Sequence, residues 1–363
     1  MIYMDNAATT KICNAAKQAI IEHIDTYGNP SSSHELGRQS RVLIENARER
    51  IAKCINADPE NIYFTSGGSE ANTWALYWNF ILASPIEHHS VRKDYQFPVS
   101  SDGLVNPHEV LGRIKMLRRQ EKYLTMVSCA HVNNEIGVIQ DVKTLAKAAH
   151  ECNLPFHVDA VQSVGHLPVD VQDVDCDFLS ASGHKFGAMK GTGFLFAKDN
   201  SQLITLINGG KQEQGKRPGT ENLLGIISMA AALEDAVEHM EERNNYVGHL
   251  RDKLLNKLLQ INGTYLNGSR TERTTSNINI RFDGVSGSRL VAICSLYDIC
   301  ISSGSACNEG VSTPSHVLKA IGLNDEEALN SIRITLSHEN TEEEINTAAN
   351  IITQLVERIR SDE

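Results

Sequence analysis

The sequence predicts an α/β fold: a large, mostly parallel sheet covered by helices, plus a smaller α+β lobe. Three observations predict it. From about residue 35 to 245, short continuous apolar runs alternate with helix-like segments, the pattern of parallel strands buried on both faces. After that point strand candidates and helices follow in a different order, ending on an amphipathic helix. The 363 residues are enough chain for two lobes. The expected division is 15–245 for the large domain, with 1–14 joining 246–363 in the small one.

Each element has its own signal. "NIYFTSG" (61–67) reads as a strand and "SEANTWALYWNF" as the helix after it. "YLTMVSCAHV" (123–132) is a second strand, followed by the helical "VKTLAKAAHECN". "LPFHVDAV", "CDFLSAS" and "GTGFLFAK" are three further strands. "LLGIISMAAALEDAVEHMEERNNYVGHLRDKLLNKLLQ" reads as a long helical stretch. Beyond it "SNINIRFDG", "ICISSGS" and "SIRITLSH" are strand-like, and "TEEEINTAANIITQLVERIR" is the closing helix.

Composition narrows the class. With 41% hydrophobic and 22% charged residues the chain is ordinary for a soluble globular protein. A net charge of -11 argues against a nucleic-acid partner, since no basic stripe is present to displace phosphate counterions. No apolar stretch reaches the ~18 residues of a membrane span. "MIYMDNAATT" lacks the basic and apolar regions of a signal peptide, so a cytoplasmic protein is expected. The eight cysteines form no C-x-x-C pair, which argues against zinc. A chain of this size needs no disulfide staples. Cys129 and Cys176 lie in or beside apolar runs and read as small buried hydrophobes. Cys307, in "ISSGSACNEG", has only small or polar neighbours and reads as a thiol on a loop free to move.

Chemistry gathers where strands end. In parallel sheets the ligand lies beyond the C-terminal ends of the strands. Asp159 follows the run "LPFHV", and Lys185 follows "CDFLSAS" 26 residues later. Singly, Asp159 could be a helix cap and Lys185 a surface lysine. The loop "TSGGSEAN" (65–72) runs from a strand into a helix N-terminus, where backbone N–H groups and the helix dipole favour an anion. It is neither a Walker loop nor G-x-G-x-x-G. A phosphate cradle, a lysine and a buried acid point together to pyridoxal phosphate. Its aldehyde condenses with lysine, and its ring nitrogen, kept protonated beside a carboxylate, makes it an electron sink.

The chain resembles the cysteine desulfurases of the NifS/IscS-like group, within the fold-type I pyridoxal-phosphate enzymes of the class-V aminotransferase family. The resemblance runs through "YMDNAATT", "YGNPSSSH", "FTSGGSEAN", "EHHSV", "HVNNEIGVIQ", "HVDAVQSVG", "SASGHK", "QGKRPGTEN", "SSGSAC" and "SIRITL", in the family's order. It implies a fold-type I transferase with pyridoxal phosphate as cofactor. It implies that Lys185 condenses with the cofactor and moves protons, and that Asp159 partners the ring nitrogen. His88 would stack on the ring and serve in catalysis, while Asn134 and Gln162 would bond its phenolic oxygen. Gly68, Ser69, Ser182 and His184 would cradle the phosphate, with Thr220 donated by the other subunit of a homodimer. Arg333 would grip the substrate carboxylate through two parallel bonds, and Asn29 would touch the substrate. Cys307 would take the sulfur of L-cysteine as a persulfide, release alanine, and pass the sulfur to an acceptor protein. Iron–sulfur clusters or a thiolated tRNA or cofactor would be the destination.

The resemblance also frays. Met189 stands where the family usually has proline, Lys211 where a glycine is common, and Ser337-His338 where Gly-Arg is usual. The segment from His88 to about residue 102 is shorter than usual. A selenocysteine lyase or a cysteine-sulfinate desulfinase of the same fold would carry the same cofactor site. A cofactor-bound partner protein in sulfur transfer is an alternative of another class.

Overall fold

The structure is a computed structural model. It describes residues 1–77, 79–303, 307–308 and 311–361, and for residues 307, 308, 311 and 312 the backbone alone. The large sheet has seven strands. In spatial order they are Ile62–Thr65, Gly193–Ala197, Phe178–Ser182, Phe156–Asp159, Met126–Ala130, Ile81–Ala83 and Tyr95–Gln96. Phe156–Asp159 pairs in parallel with Met126–Ala130 and with Phe178–Ser182. Gly193–Ala197 is antiparallel to both of its neighbours. Only ten residues separate it from Phe178–Ser182, too few for the helical crossover that a parallel return needs. The sheet is therefore mixed, and mostly parallel as expected: four of its six strand pairings are parallel.

Buried side chains hold the central strands in register. His157 lies between Ser128 Oγ (2.8 Å from Nδ1) and Ser180 Oγ (3.0 Å from Nε2) on the two flanking strands. Burial pushes this imidazole down to about 3, so it stays neutral and links three strands through hydroxyls.

Helices begin where polar residues cap them. Asn106 accepts from the His108 amide ahead of Pro107–Arg119, with proline at the first helical position. Asp141 caps Val142–His150, and Asn222 caps Leu223–Glu238. The single helical stretch expected after residue 222 is two helices, Leu223–Glu238 and Met240–Leu258. His239, at φ −103° and ψ 12°, breaks them apart. The strand Ile81–Ala83 is also new, because its apolar residues continue the run of the preceding helix Gly68–Leu76.

Two main apolar cores follow. One unites the large sheet with helices Asn14–His23, Glu35–Cys54 and Leu223–Glu238, through residues such as Ile51, Phe156, Phe194 and Leu233. The other joins Met4 to Leu250, Ile280, Ile334 and Val356 around a four-stranded sheet. That sheet runs Ser302–Ser303, Ser331–Thr335, Asn277–Phe282 and Thr264–Leu266. The N-terminus belongs to this second core: Ile2–Tyr3 pairs with Ile299–Cys300, and Asp5 bridges to Thr335. The next residues, Ala7 and Ala8, are thereby carried into the cleft between the cores.

Candidate active site

The cleft holds a cavity of about 470 Å³, within the range of small-molecule and cofactor sites. It lies past the C-terminal ends of the parallel strands, where the sequence placed the chemistry. Asp159 is the last residue of its strand, paired in register with Ala130 on one side and Ser180 on the other. Lys185 ends the short turn Gly183–Lys185 that follows the Phe178–Ser182 strand. Adjacent strands therefore deliver the acid and the amine to one space.

Asp159 is held in a fixed orientation. Its Oδ1 accepts from the Val161 amide (3.0 Å) and its Oδ2 from Asn72 Nδ2 (2.7 Å). Burial raises its pKa, while those two donors act in the opposite direction. A cation placed beside it would complete the compensation that burial requires.

Lys185 Nζ donates to the carbonyls of Ala7 (2.6 Å) and Ala8 (2.9 Å). No carboxylate pairs with it among the described residues. Burial first, and the positive Arg333 second, push its pKa down to about 8. A large fraction is then the neutral amine that attacks an aldehyde. An outcome follows for the cofactor-free protein. Its rate of pyridoxal phosphate capture is expected to rise roughly tenfold per pH unit up to about pH 8 and then flatten. An ordinary lysine would keep gaining to beyond pH 10. The visible absorbance after mixing measures this, and a rate still climbing at pH 10 would refute the depressed amine. The sign for stability is the same. Between about 8 and the usual 10.5 the unfolded lysine holds a proton that the folded one has lost, so the cofactor-free fold gains stability as pH rises through that window.

The turn expected to cradle a phosphate runs from Thr65 into helix Gly68–Leu76. A Cβ on Gly68 would lie 2.4 Å from Val161 Cγ2, so only glycine brings the helix N-terminus this close to the Asp159 turn. Ser69, Ser182 and His184 line the same cavity. Burial, aided by Lys185 and Lys190, pushes His184 down to about 4, leaving a neutral imidazole to donate a hydrogen bond. Glu70 lies just behind, gripped by Arg217 through two bonds of 2.8 and 3.1 Å.

His88, Asn134 and Gln162 also line the cavity. The Ser90 amide donates to His88 Nδ1 (3.1 Å), so the neutral ring carries its proton on Nε2. Ser90 Oγ lies 2.7 Å from the same Nδ1 and accepts from Asn72 Nδ2 (2.9 Å). Asn72 and Ser90 thus tie His88 to Asp159. Sequence reasoning passed over both; their only signal is that they stand in the motifs "GGSEAN" and "EHHSV". Gln162 Nε2 donates to the Ala7 carbonyl (3.0 Å).

Arg333 closes the small-lobe side. Its Nη2 bonds Asp5 Oδ1 (2.8 Å) and its Nη1 the Asn134 carbonyl (3.0 Å), while its Nε is buried with no partner among the described residues. Arg333 pairs in register with Ser302, so the segment carrying Cys307 leaves the sheet beside it. Four residues of chain span at most ~14 Å, which keeps Cys307 within that reach of Ser303. Cys307 and Asn308 pair with Val311–Ser312 in a short antiparallel ladder; the Cys307 thiol itself lies outside the described side chains. The segment returns at Ser315, whose hydroxyl donates to buried Glu135 (2.5 Å).

Two expected site residues are not in the cavity of their own chain. Asn29 sits in an exposed turn, its side chain accepting from the Ser31 amide. Thr220 is exposed, at the end of a segment firmly anchored upstream. There, buried Arg48 and Glu213 form a bidentate pair, and Glu213 also accepts from the Phe64 amide. Glu213 and Gln214 take φ of 46° and 56° to make that turn.

The donor set fits pyridoxal phosphate. It offers a helix N-terminus for the phosphate, a poised amine for the aldehyde, a carboxylate for the ring nitrogen and the Ser90-held imidazole of His88 for the ring face.

Comparison with known proteins agrees. The sequence profile "Aminotransferase class-V" matches residues 2–347. The "Cysteine desulfurase IscS" of Methanosarcina thermophila is 36% identical over 381 aligned residues, covering 99% of this chain and 93% of that protein. A NifS-like protein from Rickettsia africae superposes with a TM-score of 0.90 at 31% identity, covering 99% of each chain. A structure titled "SspA in complex with cysteine" superposes with a TM-score of 0.79 at 31% identity, covering 94% of this chain and all of that one.

Proposed function

The chain belongs to the class-V aminotransferase family, and we propose from that premise that it is a pyridoxal-phosphate-dependent cysteine desulfurase. The full-length likeness to cysteine desulfurases supports the activity. The observation that carries it here is that Lys185, Asp159 and Arg333 line one cavity.

When bound, pyridoxal phosphate supplies an electron sink that weakens the substrate C–S bond. The chain's own residues do the rest. Amides of the Gly67–Ser69 turn, with Ser69, Ser182 and His184, hold the phosphate. Asp159, oriented by Asn72, keeps a proton on the ring nitrogen. Asn134 and Gln162, which line the same cavity, would bond the phenolic oxygen. Lys185 would hold the aldehyde as an amine and, when free, would take and return protons, its depressed basicity suiting both roles. His88 would stack on the ring, with its proton on Nε2. Arg333 binds the substrate carboxylate.

Cys307, as thiolate, attacks the substrate sulfur. One S–S bond forms and one C–S bond breaks. The net change is L-cysteine plus a thiol giving L-alanine plus a persulfide, which balances without an outside oxidant. The persulfide then passes to an acceptor protein for iron–sulfur cluster assembly or for thiolation of a cofactor or tRNA.

A homodimer fits the exposed sites. Ile21, Ile24 and Tyr27 are 66, 57 and 82% exposed, an apolar strip that a second copy would cover. Thr220, anchored yet turned to solvent, would then reach the partner's phosphate. No helix of the described residues is long and apolar enough to cross a membrane, in keeping with action in the cytoplasm.

The test is alanine release from L-cysteine by the purified holoenzyme with a thiol reductant present. Alanine with sulfide or persulfide is the expected result. Faster release from selenocysteine or cysteine sulfinate would move the assignment to a lyase or desulfinase.

A further inference from the structure

Behind Lys185 lies a second cavity of about 210 Å³ between the two cores, walled in part by His166, Arg243, Asn244 and His338. The lysine side chain faces the cofactor cavity, while its carbonyl is held from this rear side. His166 Nε2 lies 2.9 Å from the Lys185 carbonyl oxygen. A carbonyl only accepts, so Nε2 carries the proton. Burial lowers the basicity of this ring, in keeping with a neutral donor.

His166 is itself braced. Its carbonyl accepts from Asn244 Nδ2 (2.8 Å), and Asn244 Oδ1 accepts from Thr275 Oγ1 (2.8 Å). Gly165, at φ +79°, lets the turn press against the next residue of the lysine loop; a Cβ there would lie 2.6 Å from Phe186 Cβ. The residues flanking the lysine are tied elsewhere. The His184 carbonyl accepts from Thr10, and the Gly187 carbonyl from the Cys13 amide. On the peptide that follows Lys185 the amide, Phe186 N–H, donates to the Gly183 carbonyl (3.1 Å), and the carbonyl is held by the His166 side chain.

We propose that His166 is a positioning residue for Lys185, fixing the peptide from which the lysine arm swings between the cofactor aldehyde and the Ala7 and Ala8 carbonyls. This rests on Lys185 being the condensing lysine. The arm has four methylenes and can reach both stations only from a pivot that stays put. A displacement of about 1 Å at such a pivot is enough to cost up to ~10²-fold in rate.

The test compares His166→Leu, which removes the donor, with His166→Gln, which retains an N–H donor. Each is studied as stripped apoprotein and as holoenzyme. The expected result is that His166→Leu slows pyridoxal phosphate capture and lowers kcat for L-cysteine, each by about tenfold, with KM unchanged, while His166→Gln recovers most of both. A Leu variant with the parent's capture rate and kcat overturns the proposal. So does an equal fall in both variants that tracks a lowered Tm, since that marks a packing role only. Borohydride reduction of the parent followed by peptide mapping checks the premise separately. Label on Lys185 keeps the premise whatever His166 does; label on another lysine overturns premise and proposal together.

Discussion

Lys185→Ala is expected to abolish the visible absorbance of the reconstituted protein and to lower alanine release from L-cysteine by ~10³-fold or more, the combined loss of a covalent anchor and a proton carrier. The amine is poised for both tasks. It sits at the end of a turn fixed to the strand beside Asp159, bonded to the carbonyls of Ala7 and Ala8 and to no carboxylate among the described residues, and burial brings it to about 8. Lys185→Arg should fail equally, because a guanidinium keeps the charge but stays protonated and cannot condense with an aldehyde. Absorbance after dialysis against pyridoxal phosphate and a quantitative alanine assay decide the matter. Full absorbance in Lys185→Ala would mean that another lysine holds the cofactor.

Cys307→Ala should separate from that result. The holoprotein should keep its absorbance and still change colour on addition of L-cysteine, yet release alanine at least ~10²-fold more slowly, since the nucleophile is gone while the rest of the site stands. Labelled sulfur from L-cysteine should appear on the parent and not on the variant. The geometry supports the site of attack from both ends of the segment. It leaves the small sheet next to Arg333 and returns at Ser315 on Glu135. Burial raises Glu135 to about 7, against the pull of the Ser315 hydroxyl and Arg333. Equal alanine from parent and variant would remove Cys307 from the reaction and favour a lyase or desulfinase.

Much of this was legible in the sequence, and for physical reasons. Short continuous apolar runs bounded by turn residues suit strands covered on both sides, so the strands at Ile62, Met126, Phe156 and Phe178 stand where "NIYFTSG", "YLTMVSCAHV", "LPFHVDAV" and "CDFLSAS" do. Residues at the ends of such strands must face a crevice, which brought Asp159 and Lys185 together before any coordinates. The glycines of "TSGGSEAN" declared a helix N-terminus because a side chain at Gly68 has no room.

What the sequence could not show is whatever depends on distant segments meeting. Ile81–Ala83 is hidden by the apolar helix before it, and becomes a strand only because Met126–Ala130 is there to pair with it. Gly193–Ala197 runs antiparallel because its connection is short, a fact of chain length and not of polarity. Asn72 reaches Asp159 across 87 positions, Arg48 reaches Glu213 across 165, and Asp5 reaches Arg333 across 328. Local propensity carries no trace of such pairs. Local sequence was enough for the strands that stand as separate apolar runs and for the residue types at their ends, because burial is written residue by residue. The tertiary structure alone decided how the acid, the amine and the guanidinium are oriented, because their second partners are supplied by remote parts of the chain.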